Sequence, residues 1–259
     1  MTTRTSTALP TFDHRPGAGP TLVFLHYWGG SARTWAPVIE RFEARSTLAI
    51  EARGWGRSRD LAGPYTLEQM ARDVRDVVRH AGVPEYVLVG HSMGGKVAQL
   101  VGAARPDGLA GLVLVAPGPA EPAAVVTPEY QQQLAHAYDS ADSVSGVRDH
   151  VLTAAPLSDA MKQWVVADSL GGCTAARAEW PLHGIAQDIT AEARRIEAPV
   201  LVVAGEHDRV EPVGVLRRNL LPCLAHAELT VIPGAGHLIP LEAPEDLARA
   251  IASFAPSAP

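Results

Sequence analysis

The sequence predicts an α/β fold built on a mostly parallel sheet with helices on both faces, and three observations carry that expectation. Short apolar runs rich in β-branched residues recur, each followed by a longer segment of helical period. The runs are continuous rather than alternating, as strands covered on both faces require. One long stretch, residues 118–188, breaks the rhythm and reads as an insertion of short helices and loops packed over the sheet.

Taken in order, residues 21–25 (TLVFL) read as a strand, 35–45 as a helix and 46–50 as a strand. Residues 66–81 carry Leu67, Met70, Val74, Val77 and Val78 at helical spacing. Residues 86–89 read as a strand, 93–104 as a helix and 112–115 as a strand. After the insertion, with Tyr130, Tyr138, Met161, Trp164 and Trp180 scattered through it, come a strand at 199–204, a helix at 213–221 and a strand at 229–232. Residues 244–254 close the chain as a helix with Pro244 in its first turn. In such sheets ligands bind beyond the carboxyl ends of the strands, so the residues after each apolar run are where chemistry is expected.

Composition narrows the function. The 259-residue chain is 47% hydrophobic and carries a net charge of −6, with no basic stripe, which argues against a nucleic-acid footprint. Cys173 and Cys223 form no disulfide framework or metal knuckle and read as buried or idle thiols in a reducing compartment. The first twenty residues hold no apolar leader-like core, and no apolar run approaches the ~18–20 residues that span a bilayer. The expectation is a soluble cytoplasmic protein acting on a small molecule, without nucleic-acid or membrane partners. No H-E-x-x-H and no cysteine pairing suggests zinc, and neither cofactor nor metal is expected. Oligomeric state is left open.

The strongest chemical signal is Gly90-His91-Ser92-Met93-Gly94, a G-x-S-x-G between a predicted strand and a predicted helix. A sharp turn there exposes Ser92, and the following helix adds free N–H groups and a partial positive charge. The bland reading is a strand-to-helix turn and nothing more. A serine hydroxyl needs a base. Of ten histidines, His237 follows the last strand through a loop containing Gly234 and Gly236, above the same sheet edge. The imidazole needs a carboxylate to hold its tautomer. Asp208 lies just past the strand at 199–204, with Glu206 as competitor; after the preceding strand the nearest acid is Glu121, already in the insertion.

The segments "LHYWGG", "ARGWGRS", "GHSMGG", "AGEHDRVEP" and "PGAGHLIPLEAPE" resemble the α/β-hydrolase family, of the kind with a cap after the sixth strand. The resemblance implies an eight-stranded sheet, a core of residues 1–118 and 189–259, and a helical cap at 119–188. The order Ser92, Asp208, His237 is the hydrolase chain order. It implies oxyanion donors at the backbone N–H groups of Trp28 and Met93. Tyr27 stands where the family commonly has glycine, so either the turn has negative φ or Tyr27 is strained. Its ring is expected to wall the acyl pocket, with Tyr130 and Trp164, or to pack under the cap. Ser92 in place of the aspartate of dehalogenating relatives argues against carbon–halogen hydrolysis. The "ARGWGRS" loop reads as structural, its arginines tying down nearby carboxylates, and Lys96 as a solvated or salt-bridged residue.

The function implied is a serine hydrolase of carboxylic esters or lactones, with a small or medium apolar acyl group suggested by the cap's composition. The alternatives on the same triad are a cofactor-free perhydrolase or haloperoxidase, a carbon–carbon hydrolase, or a lyase. From another class stands a hydrolase-like ligand sensor.

Overall fold

A computed structural model describes residues 8–255; the first seven residues of the N-terminal stretch read for a leader lie outside it. Seven strands form one sheet: β1 (Phe12–Arg15), β2 (Ala18–Leu25), β3 (Arg45–Ile50), β4 (Tyr86–His91), β5 (Leu109–Val115), β6 (Val200–Gly205) and β7 (Ala227–Ile232). Their spatial order is β1-β3-β2-β4-β5-β6-β7. All neighbours are parallel except β1, which runs antiparallel to β3.

The expected eight strands become seven among the described residues. The described chain ahead of β2 supplies a single four-residue edge strand. That strand, Phe-Asp-His-Arg, has only half-buried or exposed residues and no apolar run, so periodicity does not reveal it.

The central strands β4 and β6 are buried along their whole length. Alternate residues feed opposite faces, as a period of two dictates. Leu25, Ile50, Leu88, Leu114 and Val202 pack with the helices Leu67–His80 and Met93–Ala103 on one face. Phe24, Val89, Val115 and Val203 pack with Trp35, Leu247 and Ile251 on the other. The helix Leu67–His80 is capped by Thr66, whose side chain accepts from the Gln69 N–H, and it buries the predicted apolar stripe.

The helix expected at 35–45 is mostly absent. A 3₁₀ turn, Ala32–Trp35, capped by Ser31, leads into a short helix, Ala36–Ile39. Arg45 already pairs with Ala18 in the sheet, so the helix has to end early enough for the chain to turn.

Between β5 and β6 the described chain holds helices and no strand. Helices Pro128–Ala135, Ala141–Val147 and Asp159–Gly171 are capped by Thr127, Ser140 and Ser158, and Thr174–Leu182 follows. No helix among the described residues is long and apolar enough to cross a membrane.

Candidate active site

Ser92 joins β4 to the helix Met93–Ala103 with φ 53° and ψ −114°, a conformation that costs a side-chain-bearing residue of order 1–3 kcal/mol. The turn is held from both sides: the Ser92 N–H donates to the Val115 carbonyl, and the Ser92 carbonyl accepts from Gly118. A Cβ at position 90 would sit 2.4 Å from the Gly94 carbonyl oxygen, and one at 94 would sit 2.7 Å from the carbonyls of Leu25 and His26. Both glycines of the motif are therefore required by backbone approach.

The structure brings the three predicted side chains together. His237 Nε2 lies 3.0 Å from Ser92 Oγ, and His237 Nδ1 lies 2.9 Å from Asp208 Oδ2. With Nδ1–H donating to the carboxylate, Nε2 is free to accept the serine proton. Asp208 Oδ1 accepts from the N–H groups of Val210 (2.8 Å) and Glu211 (3.0 Å). Burial opposes the Asp208 charge, but His237 and those two N–H groups outweigh it and hold the acid below its ordinary range. Glu206 is exposed and accepts from the Gly234 N–H at 2.9 Å, stitching two loops rather than touching His237.

The loop bearing His237 is held by contacts that motif reading missed. The N–H groups of His237 and Leu238 both donate to the Leu152 carbonyl. Glu242 Oε2 accepts from the N–H groups of Ala154 (2.7 Å), Ala155 (2.8 Å) and Gly236 (3.0 Å). His91 is fully buried, its ring 5.2 Å from that of His237, and its Nε2–H donates to the His237 carbonyl at 2.8 Å. Burial, and then the neighbouring His237, push its pKa down to about 3.

The backbone N–H groups of Trp28 and Met93 have no acceptor among the described residues, as oxyanion donors require. Tyr27 is not among the residues with positive φ; Gly29 is, at +90°. The Gly30 N–H donates to the Tyr27 carbonyl, so Gly29 is the third residue of a four-residue turn and takes the conformation that a type II turn demands of glycine. The bend is made two residues later than the resemblance places it, and Tyr27 is free of that strain. His26 supports the same turn: its Nδ1–H donates to the Tyr27 carbonyl and its Nε2 accepts from the Ala52 N–H.

Trp28 ties this turn to the inserted helices. Its ring stacks on Tyr138 with centroids 4.0 Å apart. Its Nε1–H donates to the Arg177 carbonyl, and the Tyr138 hydroxyl donates to the Trp28 carbonyl.

A cavity of about 60 Å³ opens at Ser92 and His237, walled by Tyr27, Trp28, Tyr130, Tyr138, Trp180 and Glu211 among others. Trp164, expected in this wall, is not part of it. It is half-buried beneath the Arg33 guanidinium, 5.4 Å from its ring centre, and borders a separate recess with Tyr27, Thr34, Asp168 and Leu241. Lys96 also departs from expectation. It is fully buried, its Nζ donates to the Ile185 carbonyl at 3.3 Å, and it lies 5.9 Å from the Trp180 ring centre. Burial lowers its pKa to about 8. In the "ARGWGRS" loop, Arg53 makes a buried two-pronged contact with Asp73, and Arg57 bridges Asp13 and Glu51.

Residues 22–250 match the model of the alpha/beta hydrolase family. The chain is 26% identical to a non-heme haloperoxidase of Rhodococcus erythropolis over 244 residues, covering 85% of this chain and 86% of that one. It is 28% identical to a pimeloyl-[acyl-carrier protein] methyl ester esterase of Edwardsiella ictaluri over 259 residues, covering 94% and 96%. An esterase from Exiguobacterium antarcticum superposes with a TM-score of 0.85 at 20% identity, covering 94% of each chain. With a sharp serine turn on a mostly parallel sheet and a family match across nearly its whole length, this chain belongs to the alpha/beta hydrolase family.

Proposed function

We propose that the chain is a serine hydrolase that cleaves small carboxylic esters or lactones through an acyl-enzyme. The observation that carries this reading is the unbroken relay from Ser92 Oγ through His237 to Asp208, at 3.0 and 2.9 Å, in a buried pocket. Ser92 attacks the carbonyl while His237 takes its proton. The developing oxyanion is held by the Trp28 and Met93 N–H groups, each worth ~10²–10³ in turnover. His237 returns the proton to the leaving alcohol, then takes one from an attacking water and gives it to Ser92 Oγ as the acyl–oxygen bond breaks and the acid leaves. Asp208 orients His237 and stabilises its charged form.

Residues 119–188 act in this reading as a cap over a core of 1–118 and 189–259. A cavity of about 60 Å³ favours a short acyl chain. The unpaired thiols of Cys173 and Cys223 fit a reducing compartment, the cytoplasm. Phenylmethylsulfonyl fluoride tests the mechanism. It should add one sulfonyl group at Ser92 and abolish hydrolysis of short p-nitrophenyl esters, and full activity with Ser92 unmodified would refute it.

The likeness to a haloperoxidase favours one second reading. Peroxide replacing water at the acyl-enzyme would release a peracid, which oxidises halide. Peroxide-dependent halogenation that requires a carboxylic acid and is lost in Ser92→Ala would establish it.

A further inference from the structure

Glu211 is 5% exposed and lines the same cavity as Ser92 and His237. Among the described residues its carboxyl has no hydrogen-bond partner and no ion pair, although its oxygens are not sealed away. Buried polar groups in native proteins are almost always partnered, so an orphan facing a substrate cavity points to a ligand. Its backbone is fixed against the triad, since its N–H donates to Asp208 Oδ1.

The surrounding groups define what it can offer. Lys96, whose charge pulls on Glu211, gives one ammonium N–H to the Ile185 carbonyl and makes no ion pair with Glu211. The Tyr138 hydroxyl is spent on the Trp28 carbonyl. The wall between is apolar, with Leu134, Leu152 and Val210. Tyr130 is the other polar side chain bordering this part of the wall. Burial, then the negative charge of Asp208, push the Glu211 carboxyl well above its ordinary range, against a weaker pull from Lys96. That shift favours the protonated carboxyl, the form that carries an O–H donor.

We propose that Glu211 is the specificity-determining group of the cavity, donating a hydrogen bond to an oxygen that the substrate carries beyond its scissile carbonyl. The favoured substrates are short esters or lactones with a keto, ether or hydroxyl oxygen, rather than purely hydrocarbon acyl esters. This inference rests on the serine hydrolase reading for turnover, but the recognition itself is a binding property.

The experiment compares isosteric pairs: p-nitrophenyl 4-oxopentanoate with 4-methylpentanoate, p-nitrophenyl methoxyacetate with butanoate, and 2-methoxyethyl acetate with butyl acetate. Each kcat/KM is divided by the rate constant for hydroxide hydrolysis of the same ester. At least one pair should favour the oxygenated member by about tenfold. Glu211→Leu should bring that ratio to about one, while Glu211→Gln, which keeps an N–H donor, should retain most of it. No preference in any pair, a preference that survives in Glu211→Leu, or its loss in Glu211→Gln as well would overturn the assignment. Binding of the matching methyl esters to Ser92→Ala, read from the fluorescence of Trp28 and Trp180 in the cavity wall, separates the two claims. Oxygen-dependent binding without Ser92-dependent turnover would sink the hydrolase mechanism alone. Turnover without oxygen-dependent binding would sink the role of Glu211 alone.

Discussion

The imidazole of His91 donates to the backbone carbonyl of His237, so the residue before Ser92 holds the main chain of the residue that meets Ser92 Oγ. His91→Phe keeps the ring packing against Tyr27 and Trp35 but leaves that carbonyl unpaired. An unmet buried acceptor costs about 1–3 kcal/mol. The melting temperature should fall by about 2–10 °C, and kcat should fall about tenfold with little change in KM. Calorimetry and steady-state kinetics check both.

The same residue predicts acid sensitivity. Unfolded, His91 takes a proton near its ordinary 6.5; folded, only near 3. Between those values the unfolded state binds more protons, so stability is full above pH 6.5 and falls as pH drops, by on the order of 5 kcal/mol in all. His26, lowered by burial, acts in the same direction, as does Asp208 when pH falls through its depressed pKa. Glu211, raised by burial, opposes them, costing stability as pH climbs above about 4.5. Denaturant titrations from pH 7 to 4 should give a flatter slope for His91→Phe than for wild type.

Asp208 and Glu206 should separate by orders of magnitude. Asp208→Asn leaves the imidazole in the wrong tautomer and should lower kcat about 10⁴-fold. Glu206→Gln removes an exposed charge beside His207 but keeps an oxygen able to accept from the Gly234 N–H, and should stay within about threefold. The reverse ranking in kcat would move the acid to position 206.

Tyr27→Gly restores the residue common in related sequences, yet it should not improve catalysis. The bend already resides at Gly29, and the Tyr27 ring is 2% exposed. Removing a buried aromatic costs about 3–5 kcal/mol. The variant should be destabilised by that amount in denaturant titration, with no gain in kcat.

The parallel strands themselves, though not their order in the sheet, were legible because buried strands announce themselves as unbroken apolar runs such as Leu22-Val-Phe-Leu25. The triad was legible because each member follows such a run or ends its loop. β1 was not, since an edge strand needs no apolar residues to pair. The short helix at Ala36–Ile39 looked longer because apolar Phe42 continues the pattern through what is a turn. Lys96 misled because charge normally signals solvent. Here the inserted helices cover it, and its partner is a main-chain carbonyl that no motif encodes. Glu211 escaped notice for a related reason: its sequence position beside Asp208 says nothing of the cavity it borders.

Glu242 has an engineering consequence. One carboxylate oxygen gathers amides from residues 154, 155 and 236, riveting the inserted helical segment to the loop that carries His237. A chimera that swaps residues 119–188 would replace the segment that supplies two of those three amides and leave only the one from Gly236. Transplants that keep Leu152 to Ala155 with the host should preserve activity where shorter or longer splices lose it.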